Sequence, residues 1–456
     1  MANSNTRPRA RLRPNRLFSA VGIGMVGAVS ATVGLGAPVA FADPGYPSWD
    51  DVQQAKQNEA TKQTEIEKIS GLLTDLQASA EAAATSSQIA AEAYRVTQDA
   101  LDAATTREAA LTEQVATAQT TAATSKMRAG LIAAHLNKAG AGGLSLNLFL
   151  NGNTADDLLH QLGTASKLSE QSEAIYGEAL QDKNTAESLG AQAAAASDER
   201  ERLTEESKST FDAANRAASA TQTAYDVEQK KSSELYEQLA MLKDTTAEEE
   251  RSYQTGLDAA ASARAFAAAQ ANAARIAAAA AAQAPAAPAA PAAPAPVAPP
   301  ASGGGSSSGG SSSGGSSSGA GTGGSAPIPN ANAVSTAVNF ARAQLGDRYV
   351  LGGAGPNVWD CSGLTKAAYA AAGIYIGTHS ATNQYNTMAA QGKLVSFSQV
   401  AVGDLVFWGG RGDYYHVAIY MGGGQILEAP NPNAPVRIHS IWSFGDVSPY
   451  VGRPSS

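Results

Sequence analysis

Cys361 is the only cysteine in a chain of 456 residues. It stands in Asp360-Cys361-Ser362-Gly363, which reads as the first turn of a helix running through Leu364–Ala372 and closed by Gly373. A thiol at a helix N-terminus faces free N–H groups and the positive end of the macrodipole, and both favour the thiolate. The same N–H groups can hold the oxyanion formed when that sulfur attacks a carbonyl. A lone cysteine is more often an inert core residue. Here the flanking Asp, Ser and Gly are not core types, and an unpaired thiol is a liability in an oxidising compartment. The spacing therefore predicts a nucleophile of lowered pKa. A single cysteine also excludes an internal disulfide and any CxxC zinc or redox site.

His416 opens an alternating run, His416-Val-Ala-Ile-Tyr-Met421, that predicts a strand. Its imidazole could take a thiol proton; taken alone it is more readily a partly buried structural histidine on a strand. Gly422-Gly423-Gly424 predicts a tight turn and Gln425–Ala429 the returning strand. With Met421 paired to Gln425, Glu428 falls opposite Ala418, on the face of His416 and one diagonal step away. A two- or four-residue loop would instead turn Glu428 to the other face, as a solvated carboxylate. Nucleophile, base and an acceptor that orients the base are the parts of a Cys-His catalytic apparatus.

The elements that must hold these residues belong to a mixed α/β domain. Ala333–Leu345 predicts a helix ended by Gly346, and Tyr349-Val-Leu-Gly-Gly353 a short extended piece before a loop. Ala401-Val-Gly-Asp404 precedes a predicted strand, Leu405–Trp408. Four stretches carry a resemblance: Tyr349-Val-Leu-Gly-Gly, Asp360-Cys-Ser-Gly-Leu364, Val402-Gly-Asp-Leu-Val-Phe-Trp408 and Tyr415-His-Val-Ala-Ile-Tyr-Met-Gly422. In that order they resemble the NlpC/p60 family of cell-wall cysteine peptidases. The resemblance implies an α+β papain-like domain over 326–456, Cys361 as nucleophile, His416 as base and Glu428 in the third position. It also implies that Tyr349, Asp360 and Ser362 bind the stem peptide or steady the site, and it implies no metal or other cofactor. One departure is visible. Ile376-Gly-Thr-His-Ser380 lies where related sequences often carry Arg-Thr-Ser, so Thr378 takes the Arg place and His379 reads as a residue that only leads into a helix.

The rest of the chain is differently built. Residues 1–42 carry five Arg and no acid, then an apolar stretch from Leu17 and Ala40-Phe41-Ala42, the pattern of a cleaved export signal. An uncleaved membrane anchor is the competing reading, weakened by five glycines in the apolar run. The net charge of -9 argues against a nucleic-acid partner. That acidity lies in residues 43–283, with 20 bases against 35 acids, whereas 326–456 has seven bases and six acids. Trp49 to Lys138 is Ala-, Glu- and Gln-rich and lacks Pro. Ile66, Ile69, Leu73 and Leu76 form a 3-4-3 seam that thins to Ala80, Ala83, Ser87 and Ala90. Ala139–Gly143 breaks this helix, Leu144–Leu150 forms an apolar tip, and a second helix restarts at Thr154 and runs to Ala282, with Leu235, Leu239 and Leu242 in register. The prediction is a long antiparallel α-helical coiled coil over 43–283, each arm on the order of 135 Å. The tip either caps the pair or docks elsewhere. Residues 284–325 are Ala/Pro, then Gly/Ser linker.

Together these parts resemble actinobacterial coiled-coil cell-wall hydrolases of the RipA/RipC type. That implies a secreted, wall-associated endopeptidase that cuts the D-γ-glutamyl–meso-diaminopimelate bond of peptidoglycan stem peptides during daughter-cell separation. It also implies a membrane complex of the FtsEX kind as regulator, docked on the helices. A papain-like amidase or acyltransferase, and a non-catalytic wall scaffold, are the alternatives. Roughly 40 uncharged residues tether the domain to the acidic hairpin. Such a tether keeps even a weak contact populated, so the hairpin is expected to restrain the peptidase in cis rather than act as a passive spacer.

Overall fold

The computed structural model describes residues 46–140, 155–283 and 327–456. The expected export signal, the Leu144–Leu150 tip and the 284–325 linker lie outside them. Among the described residues no helix is long and apolar enough to cross a membrane.

Four helices precede the α/β domain: α1 (Trp49–Lys56), α2 (Glu59–Gly140), α3 (Ala155–Lys243) and α4 (Ala247–Gln283). Each expected arm is thus interrupted once, and the cause is capping rather than Gly or Pro. Asn58 Oδ1 accepts from Ala60 N at 2.9 Å and restarts the chain as α2. Asp244 turns into the left-handed region, with φ of 59°. Thr246 and Glu249 then form a reciprocal capping box, at 3.2 Å and 2.8 Å, that opens α4.

α2 and α3 run antiparallel, because partners climb one helix as they descend the other. Thr221 Oγ1 donates to the Ala83 carbonyl at 2.8 Å, Ser207 Oγ to Gln98 at 3.2 Å and Arg200 Nε to Glu108 at 2.5 Å. Ser125 donates to Asp182 further along. Ile69, Leu76, Ala80, Ala84, Leu235, Leu239 and Leu242 are buried, whereas Ile66 and Leu73 are half-buried and Leu72 takes an inward place. A seam made largely of Ala lets the backbones approach but removes little apolar area, at about 0.8 kcal/mol per buried methylene.

The C-terminal domain opens with α5 (Ala331–Arg342), capped by Asn330, and a parallel pair, β1 (Arg348–Tyr349) with β2 (Val358–Trp359). Helices α6 (Cys361–Ala371) and α7 (Ala381–Ala390) follow. The remaining strands are β3 (Leu394–Ser396), β4 (Leu405–Gly410), β5 (Asp413–Gly422), β6 (Gln425–Glu428), β7 (Arg437–Ser440) and β8 (Tyr450–Gly452). They form one antiparallel sheet in the order β3-β8-β4-β5-β6-β7. Alternation decides which side each residue serves. Leu405, Phe407, Val417, Ile419 and Leu427 join Leu364, Ala368 and Tyr369 in one core, while Val406, Trp408, Ala418, Tyr420 and Ile426 form a second.

That second core is closed by α4, which the sequence places in the hairpin arm. Phe266 stacks on Tyr420 with ring centroids 6.2 Å apart and meets Phe397 edge-on at 5.7 Å. Ala269 and Ala273 complete the contact, so from Pro47 onward the described residues pack as one unit.

Candidate active site

Cys361 is the first residue of α6, and Asp360 is its cap. Asp360 Oδ1 accepts from Gly363 N at 2.8 Å and Oδ2 from Gly352 N at 2.9 Å, which ties the glycine loop to the start of the helix. Gly363 must be glycine. A Cβ there would run into the Gly353 carbonyl and come within 2.7 Å of His379 Nε2. Asp360, Ser362 and Gly363 are buried together with Cys361, so these residues do lie in the interior, contrary to their polar types.

The expected lowering of the thiol pKa is also reversed. Burial, then the negative charges of Asp360 and Glu92, push the Cys361 thiol well above its ordinary value. The N–H groups of Val417 and Ser362 reach the sulfur and pull the other way, as the helix-terminus argument requires, but they are outweighed. As folded here, Cys361 is a neutral thiol.

β5 meets this end of α6 at Val417, whose N–H reaches the sulfur; His416 is the residue before it, and β6 sets Glu428 against His416. The hairpin keeps the expected face by a route the sequence does not announce. Ile419 pairs with Leu427 and Tyr420 with Ile426, but Gly422, not Met421, pairs with Gln425. A two-residue turn, Gly423-Gly424 with φ of 61° and 75°, is therefore offset by a bulge that absorbs the odd residue. His416 Nε2 donates to Glu428 Oε2 at 3.0 Å, both groups fully buried. His416 Nδ1 is buried with no hydrogen-bond partner, which leaves it the basic nitrogen.

Two residues that sequence reasoning missed complete this network. Trp442 Nε1 donates to Glu428 Oε2 at 3.1 Å while its ring stacks on Trp408, centroids 4.9 Å apart. Arg437 lies directly opposite Glu428 in the β6–β7 ladder and donates to Oε1 at 3.0 Å. Burial raises the Glu428 carboxyl, yet the bonds from His416 and Trp442 and the charges of His416 and Arg437 overcome it and hold Glu428 at about 2. Alternation along β7 could have pointed to Arg437; nothing local marks Trp442.

Tyr349, Asp360 and Ser362, expected near the nucleophile, do gather there. With Cys361 and Tyr415 they line a cavity of only about 10 Å³, whose other wall is Gln88, Ala91, Glu92 and Arg95 of α2. Glu92 accepts from Ser380 Oγ at 2.6 Å and from Ala381 N and Thr382 N at 3.0 Å, so it caps the start of α7 from outside the domain. Burial outweighs these bonds and pushes Glu92 up to about 7. Gln88 Nε2 donates to the Pro430 carbonyl at 2.7 Å, Thr378 donates to Asp99, and the Arg95 guanidinium lies over Gly352. A helix thus fills the space in front of the thiol, where no extended peptide fits alongside it. Among the described residues no group of three or more His, Cys, Asp or Glu side chains could hold a metal ion.

Chemically, the arrangement offers a thiol with N–H donors at its sulfur and an imidazole oriented by a buried carboxylate. The sequence profile of the NlpC/P60 family matches residues 346–444. Peptidoglycan endopeptidase RipA of Mycobacterium tuberculosis is 41% identical over 101 residues, 22% of this chain and 20% of that protein. A probable endopeptidase of Corynebacterium glutamicum is 39% identical over 114 residues, 25% of this chain and 50% of its own length. The chain therefore spans half or less of either relative. Among solved structures, the peptidoglycan hydrolase RipB of Mycobacterium tuberculosis is 31% identical, with 28% of this chain and 69% of that chain covered and a TM-score of 0.25.

Proposed function

We propose, on the premise that the C-terminal domain belongs to the NlpC/P60 family, that this protein is a thiol endopeptidase of peptidoglycan held latent by its own helical region. Cys361 attacks a stem-peptide carbonyl, His416 takes the thiol proton and returns it to the leaving amine, and Glu428 orients the imidazole and stabilises its charged form. The observation that carries this reading is the buried His416–Glu428 pair, with Nδ1 left free, one residue before Val417, whose N–H reaches the sulfur of a cysteine at a helix start. Within it, Tyr349, Asp360 and Ser362 line the peptide groove, and the bond cut is the D-γ-glutamyl–meso-diaminopimelate amide. Export through residues 1–42, action at the wall during daughter-cell separation, and release of α2 by a membrane complex of the FtsEX kind belong to the same proposal. So does the domain division at 43–283, 284–325 and 326–456.

The test is digestion of purified cell wall with new termini identified by mass spectrometry. Cys361→Ala serves as control, because any thiol reagent must act at the chain's single cysteine. The alanine variant is expected to lose several orders of magnitude in turnover while staying folded. Substantial residual cleavage by it would overturn the assignment, and new acyl products in place of new termini would favour a transferase.

A further inference from the structure

His379 does more than lead into α7. Its Nε2 donates to Asp360 Oδ1 at 2.6 Å, the shortest of the bonds that carboxylate accepts. The imidazole lies against the first turn of α6, its Nε2 2.7 Å from where a Cβ at 363 would stand. Asp360 is 2% exposed and adjoins Cys361, where its charge opposes the thiolate. The same carboxylate is indispensable as a cap, since it joins Gly352, Ser362 and Gly363. A site that needs this anion for shape therefore needs its charge answered close by. Of the two side chains that donate to Asp360, His379 makes the shorter bond, 2.6 Å against 3.4 Å for Ser362.

We infer that His379 is a positioning residue for the nucleophile: by donating to Asp360 it fixes the cap of α6 and offsets the negative charge beside Cys361. It acts through Asp360 and does not itself touch substrate. The inference rests on the reading of Cys361 as the reacting thiol. The neighbourhood also holds Glu92, Arg95 and Asp99 from α2 and Tyr349 from β1, so its test must separate these charges from that of Asp360.

The measurement is alkylation of Cys361 by iodoacetamide across pH, in chain 43–456 carrying Glu92→Gln so that Glu92 does not titrate. His379→Phe keeps the ring and loses the donor; it should move the alkylation midpoint up by about one pH unit, roughly tenfold slower reaction below it. His379→Gln keeps a donor and should stay near the parent. In an Asp360→Asn background the midpoint should fall, and residue 379 should cease to matter. Equal midpoints for the Phe and Gln variants, or an Asp360→Asn midpoint that does not fall, overturn the inference. Should His379→Phe fail to fold, His379→Leu takes its place, with the same expected rise and the same overturning outcome. Alkylation needs no peptide, so this result is separate from whether the protein cuts peptidoglycan.

Discussion

Glu428 accepts from His416 and Trp442 on one oxygen and from Arg437 on the other, with no room for water. A glutamine there must aim its NH2 at one of these donors. Sequence reasoning alone makes Glu428→Gln a mild change, since an amide can still accept from the imidazole. The structure makes it severe: a buried donor facing donors costs about 3 kcal/mol, and turnover falls with it. Denaturant unfolding and kcat at saturating substrate check both expectations, and Glu428→Gln unfolding like the parent would contradict the network. The carboxyl also predicts acid behaviour. Folding depresses it from its ordinary 4.5 to about 2, so its stabilisation is full above pH 4.5 and disappears as pH falls toward 2. Over that window the parent should lose up to about 3 kcal/mol that Glu428→Gln no longer has to lose.

Among the described elements, α2 carries a buried carboxyl brought to near neutrality by burial. Docking raises Glu92 from 4.5 to about 7. A raised carboxyl helps the docked form below its free pKa and loses that help as pH climbs through the docked value. The contact of α2 with the domain is therefore tighter in acid and looser in base, by up to about 3 kcal/mol. Against Glu92→Gln, which cannot ionise, the parent chain should gain relative activity by roughly tenfold or more between about pH 5 and about pH 8. A ratio of the two rates that stays flat with pH would remove Glu92 from the latch. This element also shows where sequence legibility ends. The β5–β6 hairpin was readable because a period of two and three glycines are local signals, and the bulge happened to preserve the face. The cap on α6 was readable for the same reason, though its effect on the thiol was not, since burial under α2 dominates. Glu92 meets Ser380 across 288 positions, and it sits off the predicted seam of its own helix. No spacing rule joins such residues. The Thr246/Glu249 box that opens α4 carries a Thr-x-x-Glu signature, masked by a surrounding composition that reads as unbroken helix.

At the scale of the molecule, the helical region is two devices rather than one. The α2–α3 pair covers the groove through polar contacts of Gln88, Glu92 and Asp99, whereas α4 seals the far core through Phe266, Ala269 and Ala273. Polar contacts exchange readily for water, and apolar burial does not. Release should thus turn at Asp244–Thr246 and leave α4 in place. Sequence alone suggests the fragment 326–456 as the unrestrained enzyme; the structure predicts that this cut strips Val406, Tyr420 and Phe397 of their cover. Fragment 247–456 keeps the seal and loses the latch. On soluble stem peptides, where reaching the wall gives no advantage, 247–456 should hydrolyse at least tenfold faster than 43–456, since each 1.4 kcal/mol of lost docking is worth a factor of ten. It should also melt roughly 5 °C or more above 326–456, and Phe266→Ala should erase most of that margin, because its ring contributes about 2 kcal/mol of packing. Equal rates for 247–456 and 43–456 would reduce the α2–α3 pair to a spacer, and equal melting of the two fragments would make α4 part of the arm after all.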